Sequence, residues 1–347
     1  MGGLLFLEEQ SMETYPLGKL PAAVIARLAE RFTPTDPRVI LGPGVGLDCA
    51  VIDFGDRLLV AKTDPITFTS DEIGWYAVQV SANDVATTGA QPAWFLVTAL
   101  LPDKGTDQSL VESIFEQIYE ACRSVGAAFV GGHTEVTAEF KRTVLVGTML
   151  GEVTRDRLIT PRGAQPGDSV LLTKWIPIEA ISILTKEFVG RLGELDPAVL
   201  EWGSSVLKSP GISVVKEALL AAKAGGVTAM HDPTEGGLAG GLWELAEAAQ
   251  VGLEVDLTAV PVPTRARAIC QTLGIDPISA IASGSLVVTV EASRVAAVEA
   301  VLASESIPVA RIGRVIEGSG VHVRRQGKLE VLPQPPRDAI AQLFENR

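Results

Sequence analysis

The sequence predicts an α+β protein of two domains, and three observations carry that prediction. Its 347 residues exceed what one hydrophobic core usually fills. Strand-like apolar runs and amphipathic stripes succeed one another from Val39 onward without a regular repeat, which is the α+β pattern. A stretch rich in Pro and Gly, residues 161–167, interrupts them near the middle. We expect an N-terminal extension with a helix over residues 1–38, a first domain over 39–160, a second over 161–335 and a tail over 336–347, each domain an α+β sandwich.

In the first domain, residues 58–62, 93–100, 127–130 and 143–149 read as strands. Between the first two, Ser70 can cap a helix whose Ile73, Ala77 and Val80 share one stripe, and Asp84 continues that stripe at the C-terminal end. An ionisable group there sits on the buried side. Thr106 is the expected cap of a second helix, whose stripe of Leu110, Val111, Ile114, Phe115, Ile118, Cys122 and Val125 stops at Gly126. Beyond the junction we expect strands at 169–173, 253–257, 285–290 and 309–315, with helices at 178–188, 213–224 and 238–249.

A hydrophobic content of 47% with 34 glycines describes a well-cored globular chain with many tight turns, not a disordered one. The net charge of −13 and the dispersed Lys and Arg argue against nucleic acid as the main partner. Cys49, Cys122 and Cys270 lie far apart, so neither a disulfide framework nor a zinc site is expected, and a reducing cytoplasm fits best. The longest apolar run, residues 93–101, is too short to span a bilayer. Residues 1–7 lack a basic start and run into Glu8 and Glu9, unlike a signal peptide; Phe6 stands where myristoylation needs Ser or Thr, and Met12 is an alternative start.

Four aspartates, Asp48, Asp64, Asp84 and Asp232, each stand at the edge of an apolar run beside small or turn-forming residues. Oxygen-only ligands of this kind suit Mg²⁺, a hard cation that keeps waters and sits against phosphates. Each can equally be a cap or a turn former. Gly42-Pro43-Gly44-Val45-Gly46 before Asp48 could let a phosphate approach closely through Gly44 and Gly46, or form a plain turn; it is neither a Walker A loop nor a GxGxxG. Gly131-Gly132-His133-Thr134-Glu135, after the strand at 127–130, is the better candidate for a phosphate and metal loop, with His133 either suited to proton transfer or a simple turn residue. His231-Asp232-Pro233-Thr234-Glu235-Gly236-Gly237 opens a helix, where Gly236 and Gly237 favour close approach by an anion, although Thr234 or Asp232 can simply cap it.

Taken in order, these segments resemble the ATP-binding superfamily of aminoimidazole ribonucleotide (AIR) synthase, over residues 17–323. The carriers are Gly46-Leu47-Asp48-Cys49-Ala50-Val51, Thr63-Asp64, residues 80–90, 131–136 and 231–241. Within it, Asn83-Asp84-Val85-Ala86-Thr87-Thr88-Gly89-Ala90, Asp232-Pro233-Thr234-Glu235-Gly236-Gly237 and Gly284-Ser285-Leu286 are most similar to the hydrogenase expression/formation protein of E type. The resemblance implies a two-domain α+β fold whose N-terminal sheet dimerises, with ATP in the cleft between the domains. It implies Mg²⁺ on Asp48, Asp64, Asp84 and Asp232. Asp84, Glu135 and His133 would act in catalysis, and Lys19, Gly44, Gly46, Thr63, Asn83, Gly131, Gly132, Thr134, Gly236 and Gly237 would contact the nucleotide.

Two departures stand out. That family carries a cysteine on a flexible C-terminal tail, whereas this sequence reads Leu343-Phe344-Glu345-Asn346-Arg347 there, with Cys270 well inside the second domain, so self-modification at a terminal cysteine is not expected. Its glycine-rich N-terminal loop is replaced by Pro16-Leu17-Gly18-Lys19-Leu20-Pro21, where Lys19 can reach phosphate or stand free. The expected activity is ATP- and Mg²⁺-dependent activation of an amide-like or acid oxygen on a small-molecule or protein-borne acceptor. A small-molecule kinase similar to thiamine-monophosphate kinase and a non-catalytic ATP-binding scaffold in metallocentre assembly remain alternatives.

Overall fold

The computed structural model describes Tyr15, residues 18–325 and residues 328–345. The alternative start at Met12, the reading of residues 1–7, Pro16, Leu17, Asn346 and Arg347 lie outside the described residues. Helix α1 (Ala22–Arg31) buries no residue and leads into the first sheet. The elements that follow are β1 (Val39–Leu41), β2 (Ala50–Asp53), β3 (Leu58–Ile66), α2 (Ile73–Thr87), β4 (Gln91–Pro102), α3 (Gln108–Val125), β5 (Ala128–Thr137) and β6 (Val144–Val153). Among the described residues the six strands run in the order β1-β2-β3-β6-β4-β5, antiparallel except for β4 with β5.

The second half holds β7 (Ser169–Thr173), α4 (Ile178–Glu187), α5 (Pro197–Ser205), α6 (Val215–Ala224), β8 (Val227–His231), α7 (Gly237–Ala249) and β9 (Gly252–Asp256). It continues with α8 (Thr264–Leu273), β10 (Val287–Val290), α9 (Val295–Ser304), β11 (Val309–Ile316), β12 (Gly320–Arg325), β13 (Lys328–Leu332) and α10 (Ala341–Glu345). Among the described residues its seven strands run β13-β12-β9-β11-β7-β10-β8. The molecule is thus α+β in both halves, as expected. No helix among the described residues is long and apolar enough to cross a membrane, and all three cysteines are free and buried.

Two helix starts differ from expectation. Asp107, not Thr106, caps α3 by accepting from the Leu110 N–H at 2.8 Å, while Thr106 donates back to the Pro102 carbonyl at 2.6 Å. Ser70 caps nothing: the residue before α2 is Glu72, and the turn ahead of it is tied by Thr69 Oγ1, which accepts from the Asp71 N–H at 3.2 Å. The strand expected at 58–62 runs on to Ile66, so Asp64 lies inside β3 rather than at its edge.

Helix α2 positions the site. All its residues but Trp75 are buried, because α3 and the first sheet cover one side and the second domain covers the other. Its polar residues have matching partners: Tyr76 Oη donates to Ser182 Oγ at 3.1 Å, Asn83 Nδ2 donates to the Ile212 carbonyl at 2.8 Å, and Asn83 Oδ1 accepts from the Val214 N–H at 2.8 Å. One apolar core therefore runs unbroken from Val60 and Met149 through α2 to Ile181 and Ala218, and a second lies between α7 and the other sheet. A large apolar interface of this kind holds two domains in one orientation. The opposite face of the first sheet is left uncovered by the described residues, so Leu96, Leu100, Val144, Val146 and Leu150 stay half-buried there.

Candidate functional site

Strand β3, the end of α2 and the β8–α7 loop meet at a cleft between the domains. A strand places every second side chain on one face, so Lys62 and Asp64 look into the cleft, and Asp84 arrives from the last turn of α2. The Lys62 ammonium lies 3.1 Å from Asp84 Oδ2, 3.2 Å from Asp64 Oδ2 and 4.0 Å from Asp48 Oδ1. From Asp48 the chain of charges continues into the second domain. Asp48 Oδ2 is 3.2 Å from His231 Nδ1, His231 Nε2 is 3.0 Å from Glu244 Oε2, and Glu244 Oε1 is 2.7 Å from Lys19 Nζ.

The pKa values follow from this arrangement. Burial opposes the charge on His231, but Asp48 and Glu244 outweigh it and push the imidazole up to about 10, so it stands as a cation. Burial would raise Asp48, yet His231 and Lys62 hold it well below the usual carboxylate range. Burial would lower Lys62, and Asp84, Asp48 and Asp64 reverse that. For Asp84 burial wins over Lys62 and the value rises; for Asp232 burial, with Asp48 beside it, pushes the value up to about 7.

Two connected compartments open here. The first, about 460 Å³, is lined by Lys62, Asp64, Asp84, Phe68, Glu179 and Ser283 among others; the second, about 610 Å³, by Gly44, Gly46, Asp48, Glu244 and Arg337. Lys19, Asp48, Lys62, Phe68 and Glu235 line both. Among the described residues no three His, Cys, Asp or Glu side chains form a closed metal cage. The donor set still fits Mg²⁺, which takes one or two carboxylates and fills its sphere with water and phosphate. Both Asp232 carboxylate oxygens are buried without a hydrogen-bond partner, as an unfilled ligand would be.

All four aspartates and Lys19 thus gather at the cleft. The other expected residues divide. Thr63 faces the uncovered side of the sheet, where it donates to the Gly147 carbonyl at 3.0 Å, because it alternates with Lys62 and Asp64. Asn83 has its amide committed to Ile212 and Val214 and acts as a clamp between the domains. Gly131, Gly132, His133, Thr134 and Glu135 form no loop: they continue β5 along the sheet edge, away from the cleft of their own chain. Gly132 is required there by packing, since a Cβ would stand 1.8 Å from the Val97 carbonyl.

Gly44 and Gly46 line the second compartment, but Gly46, at φ +68°, lets the loop meet α7, where a Cβ would stand 2.5 Å from the Glu244 carbonyl oxygen. The Gly236 N–H, expected to meet an anion, already donates to Asp338 Oδ2 at 2.7 Å, and the Gly237 N–H donates to the Thr234 carbonyl at 2.9 Å. Lys62, His231, Glu244 and Glu179 were missed as site residues. The two-residue spacing from Lys62 to Asp64 is a readable signal for the first, and His231 adjoins Asp232. Glu244, seven residues after Gly237, lies on the same face of α7.

Residues 46–153 match the family model described as AIR synthase related protein, N-terminal domain, and residues 165–326 match its C-terminal domain. The chain is 30% identical to "Carbamoyl dehydratase HypE" of Escherichia coli over 287 residues, 78% of this chain and 79% of that protein. It is 29% identical to "Thiamine-monophosphate kinase" of Pyrococcus horikoshii over 303 residues, 83% and 88% of the two chains. A solved structure of hydrogenase maturation protein HypE in complex with ATP superposes with TM-score 0.69 at 26% identity, over 88% of this chain and 93% of that one.

Proposed function

The chain belongs to the AIR synthase related protein family, and from that membership we propose an ATP-dependent enzyme that activates an amide-like or acid oxygen of its acceptor by phosphorylation, as a hydrogenase-maturation type dehydratase does. The single observation that carries the reading is the charged wall shared by the two compartments, with Lys19, Asp48 and Lys62 facing both. The nucleotide occupies the larger compartment and the acceptor the smaller. The γ-phosphoryl group then passes at the shared wall from ATP to the acceptor oxygen, releasing ADP, and that oxygen leaves with the phosphoryl group as inorganic phosphate when a proton is lost or a nucleophile attacks.

Asp84, with Asp48, Asp64 and Asp232, would hold Mg²⁺, which when bound supplies positive charge against the phosphates. Lys62 and Lys19 add cationic charge at the same wall, and a fixed field of this kind stabilises the charge that develops during transfer. His231 and Glu244 keep Asp48 and Lys19 in place. The uncovered face of the first sheet is the surface through which we expect two copies to pair, as its half-buried Leu and Val side chains suit. Gly131, Gly132, His133, Thr134 and Glu135 lie at that sheet's edge, so a catalytic role for His133 and Glu135 depends on pairing with a second copy.

A kinase reading is favoured by the match over most of the thiamine-monophosphate kinase chain. One assay separates the readings: purified protein with Mg²⁺-ATP is given carbamoyl-bearing or alcohol-bearing acceptors, and ADP and inorganic phosphate are counted. ADP with inorganic phosphate supports the dehydratase type. ADP with the phosphate retained on the acceptor supports the kinase. Tight ATP binding without ADP under every acceptor overturns both and leaves the scaffold.

A further inference from the structure

The cleft gathers three carboxylates around one ammonium and leaves a fourth carboxylate beside them. Lys62 makes the difference. Its stem rises from the middle of β3, where the pleat fixes its direction into the cleft. Its ammonium lies 3.1 Å from Asp84 Oδ2, 3.2 Å from Asp64 Oδ2 and 4.0 Å from Asp48 Oδ1. Asp48 is also held from its other side, with Oδ2 3.2 Å from His231 Nδ1. Asp232 has no such support. It is 1% exposed, neither of its carboxylate oxygens has a hydrogen-bond partner, and among the described residues no basic side chain forms an ion pair with it. Asp84 stands against it, and two carboxylates side by side repel unless a proton or a cation lies between them.

We propose that Lys62 serves as a fixed cation of the carboxylate cluster, taking the part that a second metal ion would have, so that the cleft holds a single divalent ion on Asp232 and Asp84. This deepens the phosphoryl-transfer reading and rests on it for the identity of the ion. Of the four aspartates, Asp48 and Asp64 answer to Lys62 and His231, and Asp84 and Asp232 to the metal. Charge supports the count. Ligands of a metal must be ionised, and with all four carboxylates charged, Lys62 and His231 offset two of them. His231 counts as a cation because both its ring nitrogens face carboxylates, Asp48 at 3.2 Å and Glu244 at 3.0 Å, and only the imidazolium donates from both. Lys19 offsets Glu244. One divalent ion balances what remains, whereas two would leave a buried cluster with excess positive charge. Mg²⁺ suits so small a share of protein ligands, since it takes one or two carboxylates and completes its sphere with water and phosphate. A second ion in the place of Lys62 would have to expel a mostly buried ammonium from three carboxylates at once.

The test counts Mn²⁺, a paramagnetic ion of the same ligand preference as Mg²⁺. It is titrated into the nucleotide-free full chain, and the free ion is read by electron paramagnetic resonance. The wild type is expected to bind one ion per chain. Lys62→Met and Lys62→Gln should each bind two, and Lys62→Arg, which keeps the charge, should stay at one. Asp232→Asn should weaken the wild-type ion at least about tenfold, the loss that even an outer partner of a metal ligand produces. Thermal melts establish that each variant is folded, and should both neutral variants fail to fold, the wild-type count and its dependence on Asp232 decide the matter. Two ions on the wild type overturn the proposal, as do a single ion on folded Lys62→Met or Lys62→Gln, no bound Mn²⁺ at all, or an affinity indifferent to Asp232→Asn. Failure to form ADP with every acceptor overturns the phosphoryl-transfer reading instead and leaves the ion count as measured.

Discussion

Replacing Lys62 by Met removes one charge and little volume. The Lys62 side chain is only 13% exposed and its ammonium lies within 4.0 Å of three carboxylates, of which the Asp84 side chain is 4% exposed. Deleting one partner of a buried ion pair typically destabilises by about 3–5 kcal/mol, because the other charge is left uncompensated. Burial already biases Asp84 toward its protonated form, so part of that penalty is relieved by uptake of a proton. We expect a loss near the lower end, about 3 kcal/mol, which for a chain of this size lowers Tm by roughly 4 °C. The assay is thermal unfolding followed by circular dichroism, in EDTA and then in Mg²⁺. In EDTA the variant should melt below the wild type, and Mg²⁺ should raise the variant by more, because in the wild type the cation must compete with Lys62. A ligand at 100 times its Kd adds about 2.7 kcal/mol, enough to close most of the gap. An unchanged Tm in EDTA, or an equal Mg²⁺ increment in both proteins, refutes the idea that Lys62 holds this cluster together.

Asp84→Asn should reduce ADP release by about a hundredfold or more while leaving the far-ultraviolet spectrum unchanged; near wild-type turnover would remove Asp84 from the site. Asn83→Ala breaks the hydrogen bonds to Ile212 and Val214 and should destabilise by about 2–4 kcal/mol in urea unfolding, with ATP-analogue affinity nearly unchanged. A large loss of affinity at intact stability would restore Asn83 as a nucleotide ligand. Gly46→Ala drives a Cβ against the Glu244 carbonyl at φ +68° and should cost about 1–3 kcal/mol; an unaffected melting curve would show that the loop yields there. Glu179 has a folded value near 8 against an ordinary 4.5, so its neutral form stabilises the fold fully below pH 4.5, and that contribution is lost as pH climbs to 8. Glu179→Gln should therefore gain a few kcal/mol relative to wild type across that window, at about 1.4 kcal/mol per unit; a constant difference in urea titrations would contradict the buried, protonated carboxyl.

The α+β content and the long elements were legible because their apolar patterns are strong: α3 shows its stripe in full, and β4 and β6 were found with only their ends misjudged. The two capping errors have different causes: Asp107 competes with Thr106 one residue away, whereas α2 begins after Glu72 in a left-handed conformation with no side-chain cap at all. At the site, the aspartates were readable as chemistry but not as partners. Nothing local in the chain reveals that Lys62 stands among them, or that Glu244 reaches His231 from a helix face. Gly131, Gly132 and Glu135 misled because a glycine pair after a strand signals a turn equally well when it serves close strand pairing. The Asn83 amide misled because a polar residue on a buried helix has two explanations, ligand or clamp, and only its distant partners decide.

Helix α2 has one last implication, for how such a protein can be divided or recombined. Because the second domain covers one side of the first domain's central helix, a chain severed between β6 and β7 would leave one fragment with an oily groove and the other with that side of α2 laid bare. The halves are not interchangeable cassettes. A chimera that borrows the second domain from a relative would have to borrow α2 as well, and with it Asp84, one of the buried carboxylates of the cleft.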